Sequence, residues 1–197
     1  HSPPPSWDPA LLPIPRSWDR EDEDRLPPAL KLFVLRNLPL KEVKAVGFDM
    51  DYTLARYRSP EIDDLAFKKA IRLLVRERDY PMSLLEEDFD PAFSIRGLAL
   101  DGRHGNLLKI SRERLIVRAT HGSRIMDHED IEATYGHRRI ATDAKEFRSI
   151  DTLFEIPESA LYARLVDRMD QGVIPGKDYL ALFHDVRWAS DTAHRNG

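Results

Sequence analysis

Apolar and polar positions alternate along this chain with three periods. Ala45-Val46-Gly47-Phe48 is a short apolar run that follows Lys44. A run of that length fits a strand of a parallel sheet, buried on both faces. Leu32-Phe33-Val34-Leu35, with Arg36-Asn37-Leu38, reads as a further short strand closed by Pro39. After Ser59-Pro60-Glu61 the period changes to that of a helix. Serine caps, proline occupies the first turn and glutamate complements the dipole. Ala66, Ala70, Leu73 and Leu74 then give an apolar face as far as Arg78. Pro81 interrupts the pattern, and Ser83 to Asp88 fits a short helix.

From Arg96 to His121 the pattern becomes that of strands. Leu98-Ala99-Leu100 leads to a turn at Asp101-Gly102. Leu107 to Ile110 and Leu115 to Arg118 flank Ser111 to Arg114, which predicts a hairpin. His128 to Tyr135 reads as a short helix with Gly136 at its C-cap. Asp151 to Glu158 is a loop ending at a helix start. Pro157 opens that helix, Leu161, Leu165, Val166 and Met169 line it, and Gly172 ends it. A last helix is predicted from Lys177 to His194. Its expected buried face is Leu180, Phe183, Val186 and Ala189 or Ser190. On the other side, His184, Arg187, Asp191 and His194 recur at helical spacing and form one polar stripe.

Composition narrows the setting. The chain has 197 residues, enough for one domain or a small domain with an insertion. A formal net charge of −4 argues against a general nucleic-acid binder. Cysteine is absent, so no disulfide framework or thiolate metal site is possible, and a cytoplasmic setting is compatible. No apolar run approaches the ~20 residues of a membrane span. Residues 1–28 hold eight of the fourteen prolines and the acidic run Glu21-Asp22-Glu23-Asp24. They read as an extended tail without its own core. Trp7, Leu11, Leu12, Ile14 and Trp18 within it suit docking onto a neighbouring surface; a disordered leader is the plainer alternative.

The candidate chemistry begins where the Ala45–Phe48 strand runs out. Asp49 and Asp51 are two residues apart, and alternate residues of an extended chain point the same way. In open α/β sheets ligands bind at such strand ends. Two carboxylates held together need a cation or a shared proton. Mg²⁺ meets that need and also attracts phosphate oxygens. One aspartate can then attack phosphorus while the other handles the leaving group's proton. A bare D-x-D is more often a turn with two solvated aspartates. The apolar run before it, with Thr53-Leu54 after it, moves the balance toward catalysis.

The remaining candidates are weaker on residues alone. Lys109 and Arg118 can face a phosphate, but singly each reads better as a solvated hairpin position. Arg187 and Asp191 read first as an exposed i,i+4 ion pair worth about 0.3–0.5 kcal/mol. His194 alone reads as a surface histidine. His184-Asp185 suggests a metal-dependent phosphohydrolase dyad, yet His104, His121, His128 and His137 are poorly placed to join it.

Phe48-Asp49-Met50-Asp51-Tyr52-Thr53-Leu54 resembles the first motif, D-x-D-x-T, of the haloacid dehalogenase superfamily. The longer run Gly47 to Ala55, with Tyr57, Ser59, Pro60 and Glu61, is similar to the cytosolic purine 5'-nucleotidase II (IMP-GMP-specific) group. Arg96-Gly97-Leu98, Gly105 to Lys109, His121-Gly122, Asp151 to Glu158 and Phe183 to Arg187, with Asp191, His194 and Gly197, extend the likeness from about Leu32 onward.

The resemblance implies an α/β fold. Residues 29–56 would begin a HAD-like Rossmannoid core, contributing its first strand and first motif only. Residues 57–197 would form an incomplete α+β cap. It implies that Asp49 is the nucleophile, that Asp51 is the acid and base, and that both help hold Mg²⁺. It implies that Phe154 and His194 sandwich a purine. Arg187 and Asp191 would read it, since an arginine fork matches O6 and N7 and a carboxylate accepts the N1–H of a 6-oxopurine.

The substrate expected on this basis is IMP or GMP, and a cytoplasmic homo-oligomer is expected. Asp151 and Ala141 stand where the family's vertebrate member has Asn and Arg, which argues against activation by ATP. The superfamily's later Ser or Thr, Lys and acidic pair are not found. The rest of the core is therefore expected from the same gene product or a second chain, and this chain alone is expected to be inactive. The alternatives are a non-catalytic nucleotide-binding or scaffolding protein, or a HAD phosphatase for another small phosphate ester.

Overall fold

The computed structural model describes residues 40–136, 139–142 and 144–195. The expected tail, the Leu32–Leu38 strand and His137 lie outside the described residues. The chain divides into two compact units, 1–48 and 49–197.

In the first unit Leu40–Glu42 forms a single 3-10 turn. Residues 43–48 carry no strand pairing, and their side chains are exposed. Val46 is 70% and Phe48 72% exposed. The expected buried strand is therefore not formed among the described residues. The physical reason is that an apolar strand is held by neighbours on both edges and both faces, and none pairs with it among the described residues.

The second unit is mixed α/β. Its sheet has five strands: β1 (Leu98–Asp101), β2 (Asn106–Ile110), β3 (Ile116–His121), β4 (Arg124–Ile125) and β5 (Phe147–Ser149). Their spatial order is β4-β3-β2-β1-β5, and every neighbouring pair is antiparallel. The predicted hairpin is present as β2–β3. The tight link at Ser111 to Arg114 works because Arg114 accepts a left-handed φ of 65°. An antiparallel sheet with helices is the α+β kind expected of residues 57–197, and no HAD-like parallel core is seen among the described residues.

Among the described residues four helices accompany the sheet: α1 (Glu61–Glu77), α2 (His128–Tyr135), α3 (Ile156–Asp170) and α4 (Tyr179–Arg195). The expected helix at Ser83 to Asp88 is a 3-10 turn over Met82–Glu86. The start of α1 also differs in detail. Pro60 stands at the N-cap, and the Ser59 hydroxyl donates to the Asp63 carboxylate at 2.6 Å instead of accepting a backbone N–H. Asp127 caps α2 by accepting from the Asp130 N–H at 2.8 Å, and Gly136 closes it with φ 58°.

The sheet is buried on both faces at β1 and the start of β2, where its pleat divides the core, and is exposed toward β3 and β4. Leu100 and Leu107 face α1, α3 and α4, where Phe67, Leu74, Leu161, Leu165, Leu182 and Val186 are buried. Leu108 and Ala119 face the other way, onto Met126, Tyr135 and Ile140. Successive residues of β2 thus serve different cores, as a period of two requires. Asp101 sits at the end of β1 with 0% exposure. It accepts from the Arg103 N–H, from the Tyr135 hydroxyl at 2.6 Å and from His104 Nδ1 at 2.7 Å. A carboxylate so buried is tolerable only because its oxygens are satisfied.

The buried face of α4 is displaced from the expected one. Leu182, Phe183, Val186, Ala189 and Ala193 are buried, whereas Leu180 is 38% exposed. Both leucines suit an amphipathic helix, and the neighbours α1 and α3 select Leu182. In thermal or urea denaturation, Leu182→Ala should cost about 2–5 kcal/mol, the range for a buried leucine with a cavity left behind. Leu180→Ala should cost no more than about 0.5 kcal/mol, as exposed substitutions do.

Candidate active site

The site is built on two segments of the second unit. The first is the turn that carries the aspartates. Met50 O accepts from the N–H groups of Leu54 and Ala55, at 3.0 and 2.8 Å, and Tyr52 N donates to Ala55 O at 2.8 Å. These bonds fold residues 50–55 back on themselves. Tyr52 absorbs the reversal with φ 57°, a strained value for a residue with a large side chain. Asp49 is exposed and Asp51 half-buried.

Among the described residues one side chain bonds the Asp51 carboxylate. The Tyr57 hydroxyl donates to its Oδ1 at 2.5 Å. That bond raises the Tyr57 phenol above its ordinary pKa, with desolvation adding to it. Among the described residues no group of three or more His, Cys, Asp or Glu side chains is placed to hold a metal. Asp49 and Asp51 are hard oxygen donors of the right kind for Mg²⁺, but two carboxylates supply only part of its six ligands.

The second segment is the loop before α3. Leu153–Glu155 is a 3-10 turn with a reciprocal cap. The Glu155 carboxylate accepts from the Thr152 N–H at 2.8 Å and from the Asp151 N–H at 2.9 Å. Arg148 from β5 pairs with Glu155 and with Glu158, each at 3.0 Å. This lattice fixes Phe154 between the two segments. Its ring lies 5.6 Å from those of both Tyr52 and Tyr57, which are themselves 5.4 Å apart. The three rings close a triangle of tilted and edge contacts, the favoured geometry for aromatic quadrupoles.

The helix α4 brings up the polar stripe. His184, Arg187 and His194 are exposed and Asp191 half-buried, so the stripe faces solvent as its spacing predicts. The His194 ring meets Phe154 at 5.9 Å and 89°. The two are therefore neighbours, as a base sandwich requires, but their planes are perpendicular and leave no parallel slot. A base enters only if one ring turns. No ion pair within 4.0 Å joins Arg187 to Asp191 among the described residues, so the plain surface pair is not what this stripe forms.

Sequence patterns missed Glu158, which is 5% exposed. Burial pushes its carboxyl up to about 7, offset in part by Arg148 and Arg187 and reinforced by Asp191 and Glu155. Its helical position marked it only as a first-turn acid. The Thr152-x-x-Glu155 spacing of the capping box was a legible signal for the loop that holds Phe154. Tyr52 and Tyr57 carried no signal beyond their place next to the aspartates.

Two other candidates resolve differently. Asp185 is buried and accepts from Tyr80 at 3.0 Å and from Lys177 at 2.8 Å, with Arg78 at 3.4 Å. It holds the helix layer together and has no metal-ligand set around it. Lys109 and Arg118 are exposed and directly opposite each other across β2 and β3.

A model of the 5' nucleotidase family matches residues 32–197. The chain belongs to the 5'-nucleotidase family. It is 34% identical over 144 residues to the human 5'-nucleotidase domain-containing protein 1, covering 67% of this chain and 31% of that protein. It is 35% identical over 171 residues to a 5'-nucleotidase domain-containing protein of Dictyostelium discoideum, covering 84% of this chain and 28% of that one. The bovine 5'-nucleotidase domain-containing protein 1 is 32% identical over 146 residues. The chain thus spans about a third of the length of these relatives. The family match reaches across both aspartates and the whole of α4. No helix among the described residues is long and apolar enough to cross a membrane.

The state of Glu158 sets a pH dependence. Its folded pKa of about 7 exceeds the ordinary 4.5, so the folded state binds the proton more tightly than the unfolded one. Its favourable contribution is complete below about pH 4.5 and is lost as pH rises through about 7. Between pH 5 and 8 the chain should lose up to about 3 kcal/mol from this group. Glu158→Gln should flatten that part of a stability-against-pH curve measured by denaturant titration.

Proposed function

We propose that the protein removes the 5'-phosphate of purine nucleoside monophosphates, with Asp49 and Asp51 at the phosphate and Phe154, Arg187, Asp191 and His194 at the base. The observation that carries this reading is the ring triangle. Through Tyr57 and Phe154 it joins the turn bearing the aspartates to the helix bearing the polar stripe. A phosphate end and a base end held on one packed unit suit a nucleotide better than an isolated phosphate ester.

The chemistry follows from the two carboxylates. An Asp49 oxygen attacks phosphorus, the bond from phosphorus to the ribose 5'-oxygen breaks, and Asp51 delivers a proton to that oxygen. Asp51, now a carboxylate, takes a proton from a water whose oxygen attacks the aspartyl-phosphate. The bond from Asp49 to phosphorus then breaks and inorganic phosphate leaves. A divalent ion such as Mg²⁺, held by Asp49 and the backbone carbonyl of Asp51 with ligands from elsewhere, would offset the negative charge that gathers there. At the base, Arg187 offers paired donors to O6 and N7, and Asp191 accepts N1–H from a 6-oxopurine. Adenine lacks that N1–H.

The alternative is a nucleotide-binding protein that does not turn its ligand over. It is favoured by the exposed placement of Asp49 and by the absence of a complete metal-ligand set among the described residues.

Phosphate release from IMP, GMP and AMP by the complete gene product in Mg²⁺ separates these readings. The reading expects turnover of IMP and GMP above AMP, and Asp49→Asn should lower it by at least about a thousandfold. Turnover unchanged in Asp49→Asn would end the proposal, and nucleotide binding without turnover would support the alternative. Arg187→Ala should lower kcat/KM for IMP by about tenfold to a hundredfold, since a charge-assisted pair of hydrogen bonds is lost, with a smaller effect on AMP.

A further inference from the structure

We propose that Tyr57 is a positioning residue that couples purine binding at Phe154 to the orientation of the Asp51 carboxylate. The proposal rests on the reading just given and adds to it a connection between the two ends of the site.

Three observations carry it. First, the Tyr57 hydroxyl holds Asp51 by one oxygen, at 2.5 Å. An acid and base that must aim a proton at one atom gains from having its other oxygen fixed. Among the hydrogen bonds of the described residues, Tyr57 is the side chain seen in this role. Second, the ring of the same residue lies against Phe154 at 5.6 Å and 77°, so one side chain touches both ends of the site. Tyr52 completes the contact at 5.4 and 5.6 Å, and its strained φ of 57° is what brings its ring there. Backbone strain maintained at such a place points to a role beyond folding.

Third, Phe154 and His194 stand perpendicular at 5.9 Å and must part before a base can stack. The three rings touch one another at 5.4–5.6 Å on a partly exposed surface, so a turn of one displaces its neighbours. A turn of Phe154 presses on Tyr57, and the hydroxyl carries the displacement to Asp51. The consequence is a substrate preference expressed in kcat. A nucleotide sets the acid by filling the base site. A phosphate ester without a base leaves the Tyr57–Asp51 bond as it stands here, unadjusted by Phe154.

The test compares IMP with ribose 5-phosphate, which has the same ester and no base, on the complete gene product. Tyr57→Phe keeps the ring and removes only the hydroxyl, and a melting temperature within about 2 °C of the wild type shows an intact fold. The expected result is a kcat for IMP lower by about tenfold to a hundredfold, the loss of one hydrogen bond to a charged group, with KM changed by less than about twofold. The kcat for ribose 5-phosphate should fall by a smaller factor, so that the preference for IMP narrows. A merely structural tyrosine would affect both substrates alike. Equal losses on the two substrates, or no loss on IMP, would overturn the coupling. If the wild-type protein releases phosphate from neither, the nucleotidase reading itself falls and this proposal falls with it.

Phe154→Leu supplies an independent check. It removes the ring contact while leaving the hydroxyl, and should erase most of the kcat advantage of IMP over ribose 5-phosphate. A retained advantage would count against the coupling.

Discussion

The contact on which the site depends is a triangle of aromatic rings. Tyr52 and Tyr57 come from the turn that carries the aspartates, and Phe154 comes from the loop that opens α3. Each ring pair adds about 0.5–1.5 kcal/mol beyond simple burial. Those are modest energies, but the geometry matters more than their sum. The turn at 50–55 has few other anchors: Met50 and Leu54 are 60% and 69% exposed. Without the rings, a short segment of exposed backbone would carry Asp49 and Asp51 with no fixed relation to α4.

The anchor on the other side is electrostatic. Glu155 satisfies two N–H groups of its own loop and also takes Arg148. Arg148 in turn reaches the buried Glu158 beside the polar stripe of α4. One cation on β5 therefore ties the sheet to the Phe154 loop and to the first turn of α3. Burial opposes the charge on Glu158 while Arg148 favours it, and burial wins. The group next to the stripe thus changes its charge near neutrality.

Much of the second unit was legible in the sequence, and the reasons are local. β2 and β3 are short apolar runs on either side of a polar link at residues 111–115. Asp127 and Gly136 punctuate α2, and Pro157 and Gly172 bound α3. What failed depended on neighbours. The run Ala45–Phe48 has strand chemistry but no partner among the described residues, so its apolar side chains stay exposed. Leu182 is in phase with Val186, Ala189 and Ala193 and Leu180 is not, so the buried face is read correctly only once Ala193 is counted in it. At the site, the D-x-D-x-T pattern and the polar stripe were readable because chemistry and period coincide. The role of Tyr57 was not, because a hydrogen bond over six residues combined with a contact to residue 154 leaves no periodic trace.

The central claim is that Asp49 receives a phosphoryl group from a purine nucleotide. The most direct measurement is acid quench of the complete gene product during turnover of IMP labelled at its phosphate, followed by peptide mapping. The account predicts transient label on the peptide containing Asp49. Rapid turnover with no protein-bound label, or label on another residue, would contradict it.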